Sequence, residues 1–130
     1  MNWVERRDAQ DAGMPELWSL LCIQFEQVAE SFGKTLYARN NRLIVAAKRI
    51  KNCVQVVRAT SDGSQPEESI EVCLDEKGRR VFSRINGEER ALLSFGSDNQ
   101  GKTCLLDSQG NAIQLDDVSK FLLGSVSDFV

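Results

Sequence analysis

The hydrophobic pattern is most regular between residues 70 and 115. Ile70, Val72 and Leu74 alternate with Glu71, Cys73 and Asp75, the period of two that gives a strand one buried and one wet face. Lys77-Gly78 interrupts the run, residues 81–85 resume it, and Asn86-Gly87 reverses it, because both residues accept the positive φ of a type I′ hairpin turn. Further apolar runs follow at residues 90–95, 102–107 and 111–115, cut by polar, glycine-containing stretches at 96–101 and 108–110. Connections this short force antiparallel pairing, since a parallel pair needs a crossover of about a dozen residues. The pattern predicts a β-meander.

Ahead of the meander, Pro15 fits the first position of a helix and Gly33 its end. On a helical wheel Leu17, Trp18, Leu21, Cys22, Phe25, Val28, Ala29 and Phe32 share one broad arc, the face expected to cover the sheet. Leu20 and Ile23 fall outside it, beside Gln24 and Gln27, and are the candidate interface residues. Residues 1–13 carry Glu5, Arg6, Arg7, Asp8 and Asp11, and read as a loose N-terminal arm with Trp3 and Val4 as its anchors. Residues 34–39 and 42–48 flank Asn40-Asn41, which predicts a first hairpin; residues 53–59 form the next strand, and residues 61–68 a polar loop. After the meander, Asp116 or Asp117 caps a last helix with Val118, Leu122, Val126 and Phe129 on one side and Phe121 beside them. The expected fold is α+β: an N-terminal helix, an antiparallel meander of seven to eight strands in a curled sheet or partly open barrel, and a C-terminal helix.

Length and composition fit that outline. The 130 residues suit a single domain, and 42% hydrophobic with 27% charged content is ordinary for one soluble core. Residues 1–13 lack the apolar centre of a signal peptide, and no apolar run approaches the roughly 20 residues of a membrane span. A cytoplasmic setting without a membrane span is therefore expected. Cys22, Cys53, Cys73 and Cys104 are widely spaced without a Cys-x-x-Cys pair, a spacing that favours free thiols over a zinc site. The chain has no histidine. That removes Ser-His and Cys-His nucleophile pairs, the usual base near neutral pH and the commonest metal ligand, so the sequence points away from an enzyme and calls for no cofactor.

Three features bear on function. Residues 96–103 match the letters of a phosphate-binding P-loop, but Ser108-Gln109-Gly110 follows too soon for the helix that must present its N-terminus to the phosphates. A hairpin loop explains the same letters. Charge is segregated: Lys34, Arg39, Arg42, Lys48, Arg49, Lys51 and Arg58 are followed by Asp62, Glu67, Glu68, Glu71, Asp75 and Glu76, in a chain of net charge −3. Lys48, Arg49 and Lys51 lie at an expected turn and form a candidate anion patch; alternatively the basic and acidic strands neutralise each other side by side. Few aromatic residues accompany the basic stretch, which disfavours nucleic acid. Lastly, two modest helices leave part of a wide sheet uncovered, so a helix face or a sheet edge invites association. The sequence thus favours a small non-enzymatic interaction or adaptor domain that self-associates or binds another protein. The alternative is a binding module for an anionic or small apolar ligand, held by the basic 34–58 stretch or the concave side of the sheet.

Overall fold

The computed structural model describes residues 2–123. In chain order the elements are α1 (Trp3–Gly33), α2 (Leu36–Asn40), β1 (Leu43–Ile50), β2 (Cys53–Thr60), β3 (Glu68–Asp75), β4 (Arg80–Ile85), β5 (Glu88–Ser97), β6 (Thr103–Leu106), β7 (Ala112–Ile113) and α3 (Leu115–Leu123). The seven strands form one antiparallel sheet in sequence order, β1 to β7. This is the expected α+β meander, curled into a half-barrel that stays open between β1 and β7. Val126 and Phe129, expected on the last helix, lie outside the described residues.

Strand alternation places one face of the sheet on the helices. Val54 and Val56, Ile70 and Val72, Val81, Leu93 and Leu105 point to that face and are buried there. Leu21 and Phe25 of α1, both wholly inaccessible, fill the concavity, and Val118 and Leu122 of α3 close it from one side. Each such side chain contributes about 1.5–3 kcal/mol of burial. Two local features shape the sheet. Asn86 (φ 52°) and Gly87 (φ 83°) form the expected hairpin turn between Ile85 and Glu88, with both central residues left-handed as type I′ requires. Between Ser83 and Arg84 the β4–β5 register shifts so that Arg90 is the extra residue, a bulge that bends and twists the pair.

The structure corrects three expectations. Residues 3–13 are not a loose arm but the first third of α1, whose N-cap Asn2 accepts the Glu5 N–H at 2.9 Å. Tertiary contacts override their polar composition. Gln10 Nε2 donates to Ser97 Oγ at 3.1 Å, Asp11 pairs with Arg79, Met14 is buried, and Thr103 Oγ1 donates to the carbonyls of Ala9 and Gln10 at 3.5 Å. Pro15 consequently lies inside the helix. Gly13 makes this docking feasible: a Cβ there would collide with the side chain of Thr103.

The second correction concerns residues 34–41. Thr35 caps α2 by accepting the Ala38 N–H at 3.1 Å, Ala38 is buried, and Asn41 donates to the Tyr37 carbonyl at 2.9 Å. Arg42 takes the left-handed conformation (φ 54°) that leads into β1. A helical turn replaces the hairpin, and the first true hairpin joins Ile50 to Cys53 through Lys51-Asn52.

Thirdly, Cys53 and Cys73 are not free but form a disulfide. They face each other directly across β2 and β3 with Cα atoms 4.1 Å apart. The adjacent pair carries the hydrogen bond, Leu74 N–H to Asn52 O at 2.7 Å, so Cys53 and Cys73 occupy the closer, non-hydrogen-bonded site of the ladder. Cys22 and Cys104 remain thiols.

Two outcomes follow from this packing. Gly→Ala at an unconstrained helix position raises stability by about 0.8–1 kcal/mol; Gly13→Ala should instead lower the melting temperature, and a rise would show that α1 does not seat on β6. Alkylation of the unfolded, unreduced chain should modify two cysteines by mass spectrometry, Cys22 and Cys104, and four after reduction. Four without reduction would restore the free-thiol assignment.

Candidate interaction surfaces

The stretch with P-loop letters is the β5–β6 hairpin, and its chemistry is closed upon itself. Asp98 Oδ1 accepts the N–H groups of Gln100 and Lys102, each at 2.9 Å. The Asp98 N–H donates to Lys102 O, and Gly101, left-handed at φ 79°, donates to Asp98 O at 3.0 Å. Four loop N–H groups are spent internally, and a carboxylate occupies the cradle where a phosphate would have to sit. The next hairpin repeats the arrangement. Asp107 Oδ1 accepts Gln109 and Asn111 N–H at 2.9 Å, and Gly110 has φ 82°. Asp75 does related work between β3 and β4: the bond from the Gly78 N–H, then that from Arg80, hold its carboxyl below the ordinary range.

Much of the segregated charge cancels between neighbours. Arg58 pairs with Glu68 at 2.6 Å, Arg84 with Glu71 at 3.2 Å, and Arg80 with both Asp75 and Glu89. Of the seven basic residues between 34 and 58, Lys34, Arg42, Arg49 and Arg58 have acidic partners in Glu30, Asp62, Glu26 and Glu68. The candidate anion patch divides accordingly. Arg49 reaches back to Glu26 of α1 at 2.9 Å, whereas Lys48 and Lys51 have no ion pair among the described residues and stand at the free end of the β1–β2 hairpin.

Leu20 and Ile23 emerge on the solvent side of α1, 45% and 42% exposed. Gln27 and the exposed Val28 continue the same side, and Gln24 beside them is half-buried. Beside Leu20 a groove of about 310 Å³ runs between α1, β6–β7 and the start of α3. Leu17, Leu20, Leu105, Ile113, Leu115 and Val118 give it an apolar lining, with Asp98, Lys102, Thr103 and Cys104 among its polar groups. Burial, and secondarily Asp98, pushes the Cys104 thiol up; burial also raises Cys22. Both therefore stay protonated at neutral pH and are poor nucleophiles.

Among the described residues, Cys53, Glu71 and Cys73 form the three-ligand cluster that geometry allows for a metal. Its sulfurs are bonded to each other, and the Glu71 carboxylate is held by Arg84 through two nitrogens at 3.3 and 3.2 Å. No described helix is long and apolar enough to cross a membrane. Comparison of the chain with family models, curated proteins and solved structures finds no match.

Sequence reasoning missed the partners of Gly13 and Thr103 because they are about 90 residues apart and neither carries a motif. It read residues 96–101 and 108–110 as turns without seeing that an aspartate three residues before a glycine recurs at 98–101 and 107–110. Asp98→Ala, which frees two loop N–H groups, should cost about 1 kcal/mol in chemical denaturation. Lys102→Ala should stay within about 0.5 kcal/mol of the parent. A nucleotide affinity that vanishes with Lys102 would contradict the closed-loop account.

Proposed function

We propose that this chain is a small non-enzymatic interaction domain that self-associates through the solvent face of α1. The observation that carries the reading is a gap in charge. Between Glu16 and Glu30 the helix holds a single charged residue, Glu26, and Glu26 is engaged by Arg49 of β1. The rest of that exposed side is Ser19, Leu20, Ile23, Gln27 and Val28, with the half-buried Gln24 beside them. Depletion of charge around partly exposed aliphatic residues is the compositional mark of an interface centre, and singly scattered apolar residues would sit among charges instead. Two such helices packed side by side give an isologous contact, the commonest form of self-association.

The groove beside Leu20 supports a second reading, a site for a small apolar ligand, since its volume lies at the lower end of ligand pockets. The absence of histidine and two thiols kept protonated by burial favour a binding role over a catalytic one under either reading. The Cys53–Cys73 bridge weighs against the cytoplasmic setting expected from the sequence, because thiol pools there keep such pairs reduced.

Light scattering across a concentration series tests the self-association. The parent chain should give twice the monomer mass, and Leu20→Glu with Ile23→Glu should return it to the monomer without loss of helix signal. A parent that stays monomeric at all concentrations removes the reading, and a small molecule retained in native mass spectrometry would put the groove in its place.

A further inference from the structure

The sheet ends in two unlike edges. β7 has two residues, β1 has eight. A very short edge strand is one of the ways a sheet closes itself to other chains, whereas a long one presents a row of backbone groups to them. The hydrogen-bond phase of β1 tells which groups those are. The two-residue turn makes Ile50 and Cys53 a bonded pair, and Arg42 O accepts from Ser61 N–H at 2.8 Å in the same phase. Even-numbered residues therefore bond to β2, and Leu43, Val45, Ala47 and Arg49 turn their N–H and C=O groups off the sheet.

Side chains define what this edge accepts. Ile44 and Ile50, 54% and 44% exposed, stand on the outer face of β1, and α2, which packs against β1, exposes Leu36 and Tyr37. Lys48 and Lys51 are the basic residues at its end without an ion pair among the described residues. Antiparallel pairing of two β1 strands must set odd-numbered residues opposite odd-numbered ones, so Lys48 of one copy meets Ile44 or Ala46 of the other and Lys51 meets Asn41 or Leu43, with no carboxylate for either lysine. The same positions attract acidic side chains. Backbone donors and acceptors alternating at strand spacing match a polypeptide, and a nucleic acid has no such ladder to offer.

We propose that β1 is a docking edge for an extended, acidic segment of a partner protein, which joins the sheet as an eighth strand. Its backbone bonds to residues 43, 45, 47 and 49, alternate apolar side chains lie beside Ile44 and Ile50, and its carboxylates meet Lys48 and Lys51. This surface is distinct from the α1 face, and the inference does not depend on self-association.

The test uses the full chain, isotope-labelled, with a blocked peptide of about ten residues that alternates valine with threonine and carries two glutamates at one end. A matching peptide has lysines in place of the glutamates. In the free protein the amides of Leu43, Val45, Ala47 and Arg49 should exchange rapidly and those of Ile44, Ala46, Lys48 and Ile50 slowly. The acidic peptide should protect the first set and leave the second unchanged. It should bind about tenfold more tightly than the lysine peptide, and Lys48→Glu with Lys51→Glu should reverse that preference. Ala47→Pro deletes an outward N–H without touching the β2 ladder and should abolish protection; the two surface lysine changes carry the test if that variant fails to fold. No protection by either peptide, equal binding of both, displacement by a short oligonucleotide at the same amides, or protection of the edge in a peptide-free dimer would each overturn the proposal.

Discussion

Everything in this molecule depends on one constraint: an antiparallel sheet of seven strands must bury one face, and here one long helix, with the short α3 closing one side, buries it. Leu21 and Phe25 are wholly inaccessible because the strands curl around them, and the bulge at Arg90 adds to the curl. The helix in turn needs the sheet. Pro15 removes a backbone hydrogen bond within it, and interior prolines cost about 3 kcal/mol in helices left to themselves. Contacts to Ser97, Arg79 and Thr103, made on the N-terminal side of Pro15, hold that segment in place. The close seat of Gly13 on Thr103 is where the two elements are most tightly matched.

The same constraint determines what is left over. With the concave side largely filled by α1 and α3, the surfaces still available are the groove beside Leu20, the rear of α1, the outer face of the sheet and its edges. On the outer face, ion pairs such as Arg84–Glu71 and the Arg80 cluster consume most of the polar capacity, and Arg80 lies over the Phe82 ring at 5.0 Å. The rear of α1 and the edge at β1 differ from it in opposite ways. The first is nearly free of charge, and the second carries lysines that make no ion pair among the described residues. A nearly uncharged face and a basic edge suit different contacts, which is why they are assigned separate roles.

How much of this was legible in the sequence depended on the range of the interaction concerned. Period-two alternation at Ile70, Val72 and Leu74 and the Asn86-Gly87 turn are local signals, and the strands and hairpin they predict are present. A helical wheel needs only local periodicity and so put Leu20 and Ile23 on the solvent side, although Val28, set on the covering face by the same wheel, is exposed as well. The arm at residues 3–13 was misread because its helicity comes from Arg79 in the β3–β4 turn, from β5 and from β6, far along the chain. Residues 34–40 were misread for a nearer reason: Thr35 offers a helix cap that competes with the hairpin suggested by Asn40-Asn41. The disulfide could not be anticipated from spacing, since Cys53 and Cys73 face each other through the register that the 61–67 loop permits. Lys48, Arg49 and Lys51 were identified as a group, yet their division between a helix partner and open solvent is a property of the folded sheet.

The continuity of α1 is the claim on which the fold and both surfaces rest, and residue-resolved amide hydrogen exchange of the free protein tests it most directly. The account predicts protection that runs from about residue 7 through Ala29, weaker beside Pro15 but well above unfolded rates on its N-terminal side, together with strong protection in the central strands. Exchange of residues 7–13 at the rate of an unfolded chain, with the sheet still protected, would mean that the helix begins at Pro15 and that its docking on Thr103 does not hold the fold together.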